Sequence, residues 1–293
     1  MNQENRTKIK NFEELKFSDN FMFGKVMEDE ILCRDVIECL LQRPVGELKK
    51  NQTEKEIRFT PDGKQIRLDV FNLDEQGTVY DAEMENLNHR RVEDHHLPRR
   101  SRFYQSAIDI DLMNQGMTFK ELPESHVIFI CTFDPFKAGR AIYTFKERCD
   151  EDDMFLNDGT VKHFFNCTYM GADIPNEISK LYDYIRNGKT ESDLTKRIET
   201  AVKRGRLNSV WRAEYMKELA LLQDAKDEGI EEGIEIGTEK GIKIGTERAE
   251  ESYGKLILRL TDEGRTEDLI RAAQDKEYRK ALMDELFQNS ALM

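Results

Sequence analysis

Three acidic side chains in one short stretch have the types and spacing that oxygen-ligand chemistry needs. In IRLDVFNLDEQGTVYDAEME, residues 66–85, Asp69 precedes a turn, and Glu83 and Glu85 follow it two residues apart. Clustered carboxylates are hard donors, suited to Mg²⁺, Mn²⁺ or Ca²⁺ rather than to Zn²⁺. A divalent ion held by few carboxylates keeps bound waters, makes them more acidic and offsets charge on a phosphate. The chain carries 58 acidic residues, most of which can only be solvated surface, so geometry must decide.

The geometry follows from periodicity and one glycine. Ile66, Leu68 and Val70 alternate with Arg67, Asp69 and Phe71, the period of a strand. Val79 to Met84 reads as a second strand, with Tyr80, Ala82 and Met84 on one face and Asp81, Glu83 and Glu85 on the other. A three-residue hairpin loop Glu75-Gln76-Gly77 places the glycine where a left-handed residue is needed. Asp74 then pairs with Thr78, which sets Asp69 opposite Glu83 and Arg67 opposite Glu85. A two-residue loop would bring Asp69 to Ala82, on the wrong face. Two carboxylates directly opposite repel unless something compensates. A bound cation is one solution. The other reading is an exposed hairpin with an acidic face partly neutralised by Arg67.

Other stretches stand in a fixed order around this hairpin. Phe17-Ser18-Asp19-Asn20-Phe21-Met22-Phe23 precedes it. Arg102-Phe103-Tyr104-Gln105-Ser106 follows on an amphipathic helix. Leu122-Pro123 leads into an apolar strand from His126 to Phe133, and a glycine repeat comes near the end. An aspartate on one hairpin strand and Glu-X-Glu on the next, in this setting, resembles the PD-(D/E)XK nuclease superfamily. The specific resemblance is to the Rpn family of recombination-promoting nucleases, also described as PD-(D/E)XK putative transposases, and it covers most of the chain. It implies a restriction-endonuclease-like α/β core, a mixed sheet flanked by helices, followed by an all-α C-terminal region. It implies metal ligation of Mg²⁺ (or Mn²⁺ or Ca²⁺) by Asp69, Glu83 and the Met84 backbone carbonyl, and catalysis by Asp69, Glu83 and Glu85. The implied activity is a metal-dependent DNA endonuclease tied to recombination, mobile elements or phage defence. The chain departs from the pattern twice: Leu68 stands where proline is usual, and Glu85 where the superfamily has lysine and this family often glutamine. A glutamate there can act as a base toward water or add a ligand, but cannot supply positive charge.

The net charge of −13 argues against indiscriminate nucleic-acid binding, yet basic residues are grouped. From His89 to Arg102 there are five arginines against two acids, and from Lys196 to Arg212 six basic residues against one acid. Arg90, Arg91, Arg99, Arg100, Arg102 and Gln105 are the candidate DNA-phosphate contacts. The alternative is a solvated basic turn and a helix paired with neighbouring acids. The five cysteines show no paired spacing, and Cys131 and Cys167 lie in apolar runs, which reads as buried free thiols in a reducing cytoplasm. The five histidines form no zinc pattern. No apolar run approaches membrane-spanning length, and the polar start MNQENRTKIKNFEELKF lacks a signal-peptide core.

The surrounding elements read as helices over 12–42 ended by Arg43-Pro44, a strand at 57–59, a helix over 99–115 ended by Gly116, and a strand at 126–133. A strand pair at 141–147 and 161–169 follows, then helices from 176 onward. Residues 1–175 are expected as the nuclease-like domain, 176–222 as a helical extension and 223–293 as an oligomerisation region. In that last region Gly229, Gly233, Gly237, Gly241 and Gly245 recur every four residues between Ala225 and Ala249. Five glycines cost a helix roughly 5 kcal/mol relative to alanine, so the segment is not expected to persist alone. Small residues at that spacing let two backbones approach, and a period above 3.6 favours right-handed winding. A homo-oligomer is the expectation; a repeat-expanded acidic helix without consequence is the alternative. Three functions stay open: the endonuclease, a DNA-binding oligomer that does not cut, and an interaction scaffold acting through its C-terminal helices.

Overall fold

The computed structural model describes residues 10–58, 65–86 and 92–287. These fall into two compact units, Met1–Lys217 and Glu218–Met293.

The first unit opens with helices α1 (Asn20–Met27) and α2 (Glu30–Leu41). Asp29 caps α2 by accepting the Leu32 N–H at 3.0 Å. The helix stops at Gln42, which takes a left-handed φ of 53° just before Arg43-Pro44. Three strands follow, β1 (Leu48–Arg58), β2 (Gln65–Asp74) and β3 (Val79–Glu85), then helix α3 (Leu97–Asn114). Strands β4 (Ser125–Cys131), β5 (Ile142–Phe145) and β6 (Thr160–Asn166) complete a six-stranded mixed sheet in the order β1-β2-β3-β4-β6-β5. β4 runs parallel to β3 and β6, and the other neighbours are antiparallel. A parallel step requires a crossover, and α3 supplies the one between β3 and β4. β4 reads SHVIFIC and is buried along its whole length, as a strand covered on both faces should be.

α3 determines what lies over the acidic strand. Its inward positions Leu97, Tyr104, Ala107, Ile108 and Leu112 join Phe71, Val127, Phe129 and Phe164 in one apolar cluster. Phe129 and Phe164 stack with ring centres 5.2 Å apart. Helices α4 (Asn176–Asn187) and α5 (Asp193–Arg206) pack against α1 and α2. The stretch expected as a separate helical extension is therefore part of the first unit up to Lys217.

The hairpin forms as its glycine requires. Gly77 has φ +87°, its N–H donates to the Asp74 carbonyl at 3.1 Å, and the Asp74 N–H donates to the Thr78 carbonyl at 3.1 Å. The buried Asp74 carboxylate also accepts the Gln76 and Thr78 N–H groups at 3.0 and 2.8 Å. The ladder runs Leu73–Val79, Asn72–Tyr80, Phe71–Asp81, Val70–Ala82, the register that the three-residue loop predicts. β1 is longer than the expected strand at 57–59. LKKNQTEKEIR is too polar to stand out alone and is recruited by pairing with β2; Phe59 lies outside the described residues.

In the second unit, the remainder of helix α6 (Ser209–Asp262) meets α7 (Thr266–Gln274) and α8 (Lys276–Phe287). Leu256, Leu260, Ala272, Leu282 and Leu286 form its core. The glycine repeat lies inside the single 54-residue helix α6. Residues 221–255 are all exposed, and no atom lies within 4 Å of a Cβ built on any of the five repeat glycines. All five cysteines are free, with Cys131 and Cys167 buried. Among the described residues no helix is long and apolar enough to cross a membrane.

Since Gly77 meets no neighbouring atom, Gly77→Ala isolates the cost of the left-handed backbone. It is expected to destabilise the first unit by about 1 kcal/mol, read as a lower urea midpoint with an unchanged slope. An unchanged midpoint would show that the turn does not depend on glycine.

Candidate functional site

The face of β3 beneath α3 presents Asp81, Glu83 and Glu85 in succession, and all three are buried, at 0%, 2% and 7% exposure. The acidic face is thus not a solvated one. The backbone ladder between β2 and β3 ends at Val70–Ala82, and carboxylates take over from there. Glu83 Oε1 accepts the Asp69 N–H at 2.7 Å, and Asp69 Oδ2 accepts the Met84 N–H at 3.2 Å. Each strand's acid satisfies an N–H of the other strand, so the two carboxylates that the register brings together also hold the strands where they part. Met84 enters through its N–H.

Arg100, from the first turn of α3, is the cation of this cluster. One guanidinium nitrogen pairs with Glu85 Oε1, and the other lies 3.6 Å from Glu83 Oε2 and donates to the Tyr104 hydroxyl at 2.9 Å. His95 Nδ1 sits 3.1 Å from Glu85 Oε2, which makes it the protonated ring nitrogen facing a carboxylate. The His95 ring packs on Phe133 at 4.7 Å. Arg67, expected opposite Glu85, lies beyond the point where the ladder ends; it approaches Glu54 of β1 at 3.8 Å instead. Lys55 is held by Asp111 at 2.6 Å over the Phe71 ring at 3.6 Å.

Three buried carboxylates and the half-buried Asp69 therefore gather beside the Arg100 guanidinium. Burial pushes Asp69 up to about 7, against the Met84 hydrogen bond, with the Glu85 charge adding to the rise. Burial also lifts Glu83 well above the usual carboxylate range, followed by the charges of Asp69 and Asp81. Asp81 is raised by burial and then by Asp69, and neither of its oxygens has a hydrogen-bond partner among the described residues. A fully buried carboxylate without partners is costly. A hard cation nearby is one relief; a bound proton is another. The donor chemistry fits a divalent ion, but among the described residues no group of three His, Cys, Asp or Glu side chains is arranged to hold a metal. The acids present a donor set turned partly onto backbone N–H groups, not a formed cage.

The remaining predicted residues divide by helix phase. Arg100 and Tyr104 lie one turn apart on the inward face of α3, while Arg99 and Arg102 are exposed on its outer side. Gln105, expected to face a phosphate, is instead buried and donates to Ser125 Oγ at 2.7 Å and Asp109 Oδ1 at 3.0 Å. Its amide is used within the fold because position 105 falls on the flank of α3 that meets the start of β4. Arg90 and Arg91 lie outside the described residues. Glu85, expected to act on water or metal, is held by Arg100 and His95. Two participants were missed. Asp81 was visible in the alternation Asp81-Glu83-Glu85, and His95 carried no local signal, since only the crossover after β3 brings it back to Glu85. The repeat glycines Gly229, Gly233, Gly237, Gly241 and Gly245 all lie in the second unit.

In comparisons with known proteins, no family model, curated protein or solved structure matches this chain.

The raised carboxylates set a pH dependence. Asp69 shifts from 3.8 to about 7, so the folded state retains a proton that the unfolded chain releases. Its contribution to stability is full below about pH 4 and is lost as pH rises toward 7. Asp81 and Glu83 act in the same direction, opposed by Arg67 and Arg100. Asp69→Asn keeps an oxygen for the Met84 N–H and removes the ionisation. In the presence of chelator, it is expected to raise the melting temperature at pH 8 and leave it unchanged at pH 4. A lower melting temperature at pH 8 would refute this electrostatic account.

Proposed function

We propose that the first unit is a divalent-metal-dependent endodeoxyribonuclease that hydrolyses phosphodiester bonds, in a PD-(D/E)XK nuclease-like fold of the Rpn kind. The observation that carries this reading is the junction of Asp69 and Glu83. Two acids on neighbouring strands meet where the ladder parts, inside a group of carboxylates that outnumbers the guanidinium groups beside it among the described residues. Asp69 Oδ1 and Glu83 Oε2 are the oxygens not engaged by those backbone N–H groups, and these would hold Mg²⁺ or Mn²⁺. Bound there, the ion would supply an acidified water and offset charge on the phosphate. Arg99 and Arg102, exposed on α3, would contact the flanking DNA backbone, whose binding would weaken with salt. The family's association with recombination, mobile elements or phage defence belongs to the same proposal.

The expected result is nicking of supercoiled plasmid in Mg²⁺ or Mn²⁺, abolished by chelator and reduced at least a hundredfold by Asp69→Ala or Glu83→Ala. Cleavage that survives both substitutions would place the chemistry elsewhere. One observation favours a second reading, binding without cleavage: Glu85 is committed to Arg100 and His95 and so is not free to act as a base. A retarded DNA band with no nicking in any of the metals would select that reading.

The second unit is proposed to pair with another copy through the stripe of repeat glycines, flanked by Ile230, Ile234 and Ile242 at 50%, 64% and 66% exposure. Each glycine-to-alanine change favours an isolated helix by about 1 kcal/mol and blocks close backbone approach. Replacing all five glycines by alanine is therefore expected to raise helicity while lowering the mass measured by light scattering. An unchanged mass would remove the stripe from the interface and leave only an extended helix.

A further inference from the structure

We propose that Arg100 is the catalytic residue that receives the charge developing on the scissile phosphate, with Glu85 and His95 as the positioning residues that hold it ready. This rests on the nuclease reading and deepens it. Phosphodiester hydrolysis places additional negative charge on the non-bridging and leaving oxygens, and a preorganised donor aimed at them lowers the barrier. The chain has to provide that donor at the acids. Glu85, two residues beyond Glu83 on the same strand face, is an acceptor when ionised and cannot.

Arg100 meets the requirement on geometry. Its guanidinium spans the two glutamates, pairing with Glu85 and lying 3.6 Å from Glu83. The carboxylates are shut in, with side chains 9% and 2% exposed, whereas about a third of the Arg100 side chain (32%) reaches solvent. The cation is thus the more exposed partner of the two acids. The Tyr104 hydroxyl accepts one of its protons at 2.9 Å, and the guanidinium lies 5.6 Å from the centre of the Phe129 ring, so its plane is fixed from two sides. Guanidinium has five N–H donors; Glu85 and Tyr104 do not exhaust them, and a phosphate oxygen can take the rest. His95 fixes the far oxygen of Glu85 at 3.1 Å, which orients Glu85 toward Arg100.

A counterion with no role beyond neutralising Glu85 would have the same static geometry. The two roles separate in a double substitution, since replacing both partners by neutral glutamine removes Glu85's need for a counterion but not the reaction's need for an electrophile. Cleavage of a labelled duplex is measured at saturating Mn²⁺ for the full chain and for Arg100→Gln, Arg100→Lys, Glu85→Gln and the pair Glu85→Gln/Arg100→Gln. Melting curves and Mn²⁺ titration calorimetry accompany each. Arg100→Gln is expected to lower the rate constant about a hundredfold while still binding Mn²⁺, and Arg100→Lys to recover part of the loss. Glu85→Gln, which loosens the hold on Arg100, should lower the rate constant less than Arg100→Gln does, and the pair should be as slow as Arg100→Gln. Recovery of the pair to the Glu85→Gln rate would overturn the proposal and make Arg100 a counterion. Loss of Mn²⁺ binding in step with the rate would overturn it too. Should Arg100→Gln fail to fold, the pair, which removes one buried carboxylate charge along with the guanidinium, decides alone. An unsubstituted chain that shows no metal-dependent cleavage would remove the nuclease reading and this inference together, whereas a cleaving chain indifferent to Arg100→Gln removes only the inference.

Discussion

The first unit depends on one exchange of hydrogen bonds, in which the Asp69 N–H goes to the Glu83 carboxylate and the Met84 N–H to the Asp69 carboxylate. Buried backbone donors must be satisfied, and at this point the β2–β3 ladder has stopped satisfying them. Each of these hydrogen bonds favours the ionised form of its acid and so works against the rise that burial causes. The same two bonds define where the sheet opens and which oxygens remain available. Removing either acid therefore disturbs architecture and chemistry together, and isosteric amides are the cleaner probes.

Burial at this place follows from the crossover. β3 and β4 are parallel, so the connecting helix must return along the face of the sheet, and the face it returns over is the one bearing Asp81, Glu83 and Glu85. An amphipathic helix placed over acids has to carry a compensating group. α3 does so through Arg100 at its N-terminal turn, before its inward face becomes apolar at Ala107 and Ile108. Arginine suits the position because its charge persists under burial and its planar fork reaches two carboxylates at once.

Much of this was legible in the residues. Gly77 fixed a loop length, loop length fixed a register, and the register brought Asp69 to Glu83. Each step is local, involving residues within one hairpin. Apolar runs likewise marked β4 and the pairing of β5 with β6. The sequence was silent where partners are remote. The polar β1 exists as a strand because β2 offers it an edge. His95 and Arg100 reach Glu85 only after the chain has turned back over the sheet. Gln105 is turned into the fold because the phase of Leu97, Ala107, Ile108 and Leu112 settles which side of α3 is covered and brings position 105 to the start of β4. Asp81 shows the limit of reading acids by type: that its oxygens find no hydrogen-bond partner among the described residues appears only when everything around it is in place.

The position of Arg100 in front of nearly sealed carboxylates also has a consequence in time. Any ion bound by those acids exchanges with solvent past a side chain that is itself bonded to them. Were an ion held there as proposed, its residence time would depend on rotation of a guanidinium restrained by Tyr104 and Glu85 as well as on affinity. Two sites with equal equilibrium constants would differ in how fast they load, and this one would load through a single hinged cation.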